Sequence, residues 1–182
     1  MGFANRLFSQ KVRDEALEKA RSEADFVESN SIRAIYFRNP DYPHRLLQCD
    51  DAPLMLYMLG DCDLNSRRVV SIVGTRHATA YGCDFTERFV RELSDIMAEK
   101  PVIVSGLAYG IDIAAHRAAL KAGLPTIAVV AHGLNTVYPP AHRPTAVEMI
   151  RSGGGMLTDY PSSASIHKGN FLARNRIVAG LA

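Results

Sequence analysis

The chain has 182 residues, with 21 Lys and Arg against 19 Asp and Glu, six His, three Cys and no Trp. At 47% hydrophobic and 22% charged, it is not a disordered chain. Its length suits one domain with a small appendage, burying about 70% of its unfolded surface without a metal or disulfide staple. A net charge of +2 gives no overall field toward nucleic acid or a membrane, so any anion site must concentrate charge locally.

The first 20 residues carry Arg6, Lys11, Arg13, Asp14, Glu15 and Glu18 and lack the apolar stretch of a secretory signal. The spacing of Val12, Leu17, Ala20, Ala24 and Val27 predicts an amphipathic helix over 11–28. Residues 32–37 read as a short strand, and N-P-D-Y-P at 39–43 is turn chemistry. A second short apolar run, 54–59, ends at Gly60. Cys49, Cys62 and Cys83 are isolated and offer no C-x2-C pair. That excludes a zinc knuckle and a disulfide framework and fits a reducing cytoplasm. Together 1–65 read as a helical and irregular extension leading into a domain over 66–182.

From Arg68 onward, strands and helices alternate. Residues 69–73 form an apolar, β-branched strand closed by Gly74. A helix follows over 81–100, then a strand over 102–104, a Gly-rich turn and a helix over 111–122. Gly123 stands where a helix-ending glycine belongs. A strand at 126–131, a helix at 143–151, a strand at 155–160 and a last helix from about Phe171 complete the order. Alternation with strands apolar on both faces predicts an α/β fold. It is a Rossmann-like, doubly wound, mostly parallel sheet with helices on both faces and ligands at the carboxyl ends of the strands. The longest apolar runs fall far short of the ~20 residues of a membrane span.

The candidate chemistry sits at those strand ends. G-T-R at 74–76 lacks the G-x-G-x-x-G dinucleotide fingerprint, and no P-loop occurs anywhere. Gly74 allows close backbone approach, Thr75 offers a hydroxyl and Arg76 a planar fork for phosphate, or the three make only a tight turn. S-G-L-A-Y-G-I-D at 105–112 opens a helix, so its amides are expected to receive an anion; the plainer reading is close strand–helix packing. Asp112 and His116, four apart, are read as a helix cap and a residue that packs or pairs with it, ahead of a metal pair or a catalytic dyad. Tyr138, before Pro139 and Pro140, stacks on a base or orders a loop. The strongest signal is H-K-G-N-F-L-A-R-N-R at 167–176, which no acid interrupts. Lys168, Arg174 and Arg176 supply charge, Phe171 a stacking face and Asn170 an amide, the pairing that single-stranded nucleic acid requires. The competing reading makes Phe171 a core residue and the charges merely solvated.

These motifs, with Y-G at 81–82, A-H at 115–116, Y-P-P at 138–140 and K-G-N-F…R-N-R-I-V-A-G-L at 168–181, resemble the DNA-processing protein A family (DprA, also called Smf) over about residues 30–182. The resemblance implies a cytoplasmic protein that binds single-stranded DNA and loads the RecA recombinase in natural transformation, with no catalytic residue, metal or cofactor. It also implies a homodimer in the full-length protein and a basic DNA pocket. Gly74, Thr75 and Arg76 match the phosphate-holding loop, and Ser105 and Gly106 the second loop of the pocket. Lys168 and Phe171 match the basic and base-stacking positions, with Asn170 between them. The sequence departs from the family at position 109, Tyr where Arg is common. It lacks the later strands and winged helix, so it reads as the core of a longer protein. The rival reading is a phosphoribohydrolase-type nucleotide enzyme, whose P-G-G-x-G-T motif and catalytic Glu are missing. A third is a partner-docking domain without nucleic-acid affinity.

Overall fold

The structure, a computed structural model, describes residues 9–182. The described residues divide into two compact units, one ending at Ile32 and the other running from Arg33 to Ala182. The first holds helix α1, Gln10–Ser29. Ser9 caps it by accepting the Val12 N–H (3.4 Å), and the Asn30 amide closes it on the Phe26 carbonyl (2.8 Å). No residue of α1 is buried.

The second unit is a six-stranded sheet in the order β1-β2-β6-β5-β4-β3. Its strands are β1 (Arg33–Tyr36), β2 (Met55–Gly60), β3 (Val69–Ser71), β4 (Val102–Ser105), β5 (Thr126–Val129) and β6 (Gly155–Thr158). β3 to β6 run parallel; β1 and β2 form an antiparallel hairpin that joins β6 antiparallel. The expected boundary at 65/66 therefore falls inside this unit. The two short runs before it are sheet strands, because β2 pairs with β6, about a hundred residues later, from Tyr57↔Thr158 to Gly60↔Gly155.

Helices α2 (Ala80–Ile96), α3 (Ile111–Lys121) and α4 (Arg143–Arg151) link the parallel strands. The strands advance one way, so right-handed crossovers put all three helices on one face. The strand side chains alternate accordingly. Ile103, Ala128 and Met156 pack with α2, α3 and α4. Val102, Val104, Ile127, Val129 and Leu157 face the opposite layer. That layer is built by α5 (Lys168–Gly180), through Ile177 and Val178, and by Tyr42 and Leu46. The Ser71 hydroxyl donates to the Val178 carbonyl (2.5 Å), tying the end of α5 to β3. Both faces are thus covered, as the apolar strands require. Among the described residues, no helix is long and apolar enough to cross a membrane.

Candidate nucleic-acid interface

The carboxyl ends of β3, β4 and β5 and the first turn of α5 meet at one end of the sheet. The Gly74-Thr75-Arg76 loop is exposed and lies against the start of α3. The Thr75 carbonyl accepts the Ile111 N–H (3.2 Å). Gly110 makes this contact possible. Its φ is +76°, and a Cβ there would sit 2.1 Å from the Thr75 carbonyl oxygen. Arg76 leaves this loop and places its guanidinium carbon 5.3 Å from the centre of the Phe171 ring, within cation–π range. Tyr138 approaches the same ring, with centroids 5.8 Å apart at 59°. Lys168 opens α5 one turn before Phe171 and is exposed. It has no ion pair among the described residues.

His132 positions Tyr138. The Tyr138 N–H donates to His132 Nε2 (3.2 Å), so Nδ1 carries the proton and donates to the Gly133 carbonyl (2.8 Å). Burial lowers the pKa of this ring and keeps it neutral. The N-terminus of α5 is capped by His167, whose Nδ1 accepts the Gly169 N–H (3.0 Å). The helix therefore begins three residues before the expected Phe171.

The other expected site residues do different work. Ser105 is fully buried and donates its hydroxyl to the Ile72 carbonyl (2.6 Å). The Asn170 amide donates to the Ala131 (3.3 Å) and Ser165 (3.1 Å) carbonyls, pinning the polar loop before α5. Arg176 pairs with Asp159 (2.6 Å) and donates to the Asp51 carbonyl. Arg174 is only 4% exposed. Its guanidinium donates to the Gly106 (2.8 Å) and Val129 carbonyls, at the ends of β4 and β5. The run 167–176 is acid-free in sequence, but the fold spends its last two charges internally.

The second turn also departs from the expected anion cradle. Two of its amides are already occupied, because the Thr75 carbonyl takes the Ile111 N–H and the Asp112 carboxylate accepts the Ala108 N–H (3.4 Å). Asp112 is buried, and burial raises its pKa against the opposing pull of Arg174 and of backbone N–H groups. Gly106 lies between the two. A Cβ there would be 2.5 Å from Arg174 Nη2 and 2.6 Å from Asp112 Oδ2. Asp112 and Arg174 thus flank Gly106 from two sides, and the attraction of the guanidinium partly offsets the burial of the carboxylate.

His116 is fully buried; its Nδ1–H donates to the Thr126 hydroxyl (2.7 Å), which donates onward to the Ile103 carbonyl (2.8 Å). It does not pair with Asp112. Burial, reinforced by His142 and Arg174, pushes its pKa down to about 3. The unfolded chain therefore takes up this proton first, near pH 6.5. The stabilising contribution is complete above that value and is lost as pH falls toward 3, by at most about 1.4 kcal/mol per unit. The raised pKa values of Asp112 and Asp159 oppose this in the carboxylate range, so the signature is cleanest between pH 6.5 and 5. Urea midpoints are expected to fall over that window, and more gently in His116→Gln. Identical slopes in the two proteins would refute the assignment.

The DNA recombination-mediator protein A family profile matches residues 33–182. The chain is 41% identical over 148 residues to a Synechocystis protein named Smf, covering 79% of this chain and 36% of that one. It is 40% identical over 140 residues to DNA processing protein DprA of Streptococcus pneumoniae, covering 77% and 48%. It thus spans less than half the length of either relative. The solved structure of the S. pneumoniae protein superposes with a TM-score of 0.74 at 34% identity, over 87% of this chain and 55% of that one. DNA processing protein A from Helicobacter pylori, whose structure was described for its single-stranded DNA binding mode, gives 0.69 at 34% identity, over 82% and 66%. The chain belongs to the DNA recombination-mediator protein A family.

Proposed function

We propose that this chain is a non-catalytic module that binds single-stranded DNA across Arg76, Lys168, Phe171 and Tyr138. The observation that carries the reading is the Arg76 guanidinium over the Phe171 ring, with an exposed aromatic, Tyr138, beside it. A single strand presents phosphates and unpaired bases together, and this surface offers a cation and ring faces together. The H. pylori structure supports the same ligand. In this reading the bound strand is DNA taken up by the cell, protected in the cytoplasm by a homodimer and handed to a RecA-type recombinase.

The test is affinity for a labelled oligothymidylate against salt concentration. The wild-type chain is expected to bind with an affinity that falls as salt rises, because phosphate contacts release counterions. Arg76→Ala and Lys168→Ala should each weaken binding and flatten the log–log slope by about 0.7, the value for one phosphate on a single strand. An absence of binding, or an Arg76→Ala variant that behaves as wild type, would sink the reading. Nucleoside monophosphates are expected to release no base on incubation.

A further inference from the structure

We infer that Tyr109 is the base-stacking shelf of a second nucleotide subsite, adjoining the Phe171 one and sharing Arg76 with it. The inference rests on the single-stranded DNA reading above. An open cleft of about 670 Å³ is lined by Arg76, His77, Ala78, Tyr109 and Gly110. That volume lies within the roughly 300–1,000 Å³ typical of small-ligand sites. The lining holds a cation and an aromatic and no acid, a composition suited to a phosphate with its base.

Tyr109 is 50% exposed, yet its ring is not free to swing. It rests edge-on against His142, with centroids 4.8 Å apart at 69°. His142 is itself buried and held by the Leu107 carbonyl (2.8 Å). On the other flank, Gly110 locks the backbone against Thr75. An aromatic that is exposed on one side and backed by a fixed ring on another loses little freedom when a base stacks on it. Arg76 belongs to both places, over Phe171 and in the wall of the Tyr109 cleft. The sequence of aromatic, cation and aromatic matches the base, phosphate and base of a single strand. Arg76 would hold the phosphodiester between two stacked nucleotides.

Three variants, measured beside wild type and Phe171→Ala, test this. Tyr109→Ala is expected to weaken oligothymidylate binding about 5- to 150-fold, the range measured for loss of one stacking face, with no change in salt slope. Tyr109→Phe should bind close to wild type, because the ring face and not the hydroxyl carries the contact. The chain has no Trp, so Tyr109→Trp introduces a sole indole whose emission should be quenched as the oligonucleotide saturates. If wild type fails to bind, the single-stranded DNA reading itself falls. If wild type binds and Phe171→Ala is weak while Tyr109→Ala binds normally, only the second subsite is overturned. Unquenched Tyr109→Trp emission, or a Tyr109→Phe variant as weak as Tyr109→Ala, overturns it equally.

Discussion

Arg174→Ala should cost about 3–5 kcal/mol of folding stability, because it strands two buried carbonyls and takes away the cation that offsets the burial of a carboxylate. Three groups lose their counterpart together. The Gly106 and Val129 carbonyls lose a donor, and the buried Asp112 carboxylate loses the cation that offsets its desolvation. A domain is stable by only about 5–15 kcal/mol, so the variant should unfold at a much lower urea concentration. Far-UV circular dichroism is the appropriate probe, since the chain lacks Trp. Asp112→Asn in the Arg174→Ala background removes the stranded charge and should recover part of the loss. A loss below about 1 kcal/mol, comparable to that of an exposed ion pair, would contradict this role for Arg174. Arg176→Ala, by contrast, affects a pair whose Arg is 28% exposed and should cost less.

This contrast shows where sequence reasoning reaches and where it stops. Strands β4 and β5 were legible because each is apolar at nearly every position, and only a sheet covered on both faces makes that favourable. The helices between them carried their own periodicity and, at Gly123, their own stop. The two strands before residue 65 were visible as runs, but their place in the sheet was not. Pairing of β2 with β6 is a long-range event that no local pattern encodes. The same limit governs the site. Arg76, Lys168, Arg174 and Arg176 are equivalent in a string of letters, and only tertiary packing sorts them. Helical geometry does the sorting within α5. Lys168 and Phe171 sit in the first turn at the open end of the sheet, whereas Arg174 lies further along, above the β4 and β5 carbonyls. His167 as a cap was missed because imidazole is not among the preferred capping groups. The occupied Ile111 amide of the 105–112 turn was missed because the Thr75 carbonyl that takes it comes from the loop after β3, distant in the chain.

Phe171→Ala is expected to weaken single-stranded DNA binding about 5- to 150-fold, or ~1–3 kcal/mol, while leaving the salt slope at its wild-type value. The ring is half-buried, touches Tyr138 on one side and lies under Arg76 on another. Its removal takes away a stacking face and also the cation–π contact, worth about 0.5–1 kcal/mol at an exposed site, that holds Arg76 in place. The second effect raises the loss toward the upper end of the range, because a released guanidinium must be re-ordered by the ligand. Phe171→Leu separates the two roles the residue can play. Leucine keeps apolar bulk for packing but has no π face, so a stacking residue should be impaired nearly as badly by Leu as by Ala, whereas a core residue should be largely rescued. Affinity restored by Leu, or a slope changed by either variant, would mean that Phe171 serves the fold and that the phosphate-binding groups act without it. Urea midpoints measured alongside decide between the causes. A binding loss with the midpoint near wild type assigns the effect to the surface itself, as the exposure of Arg76, Tyr138 and Lys168 around the ring requires.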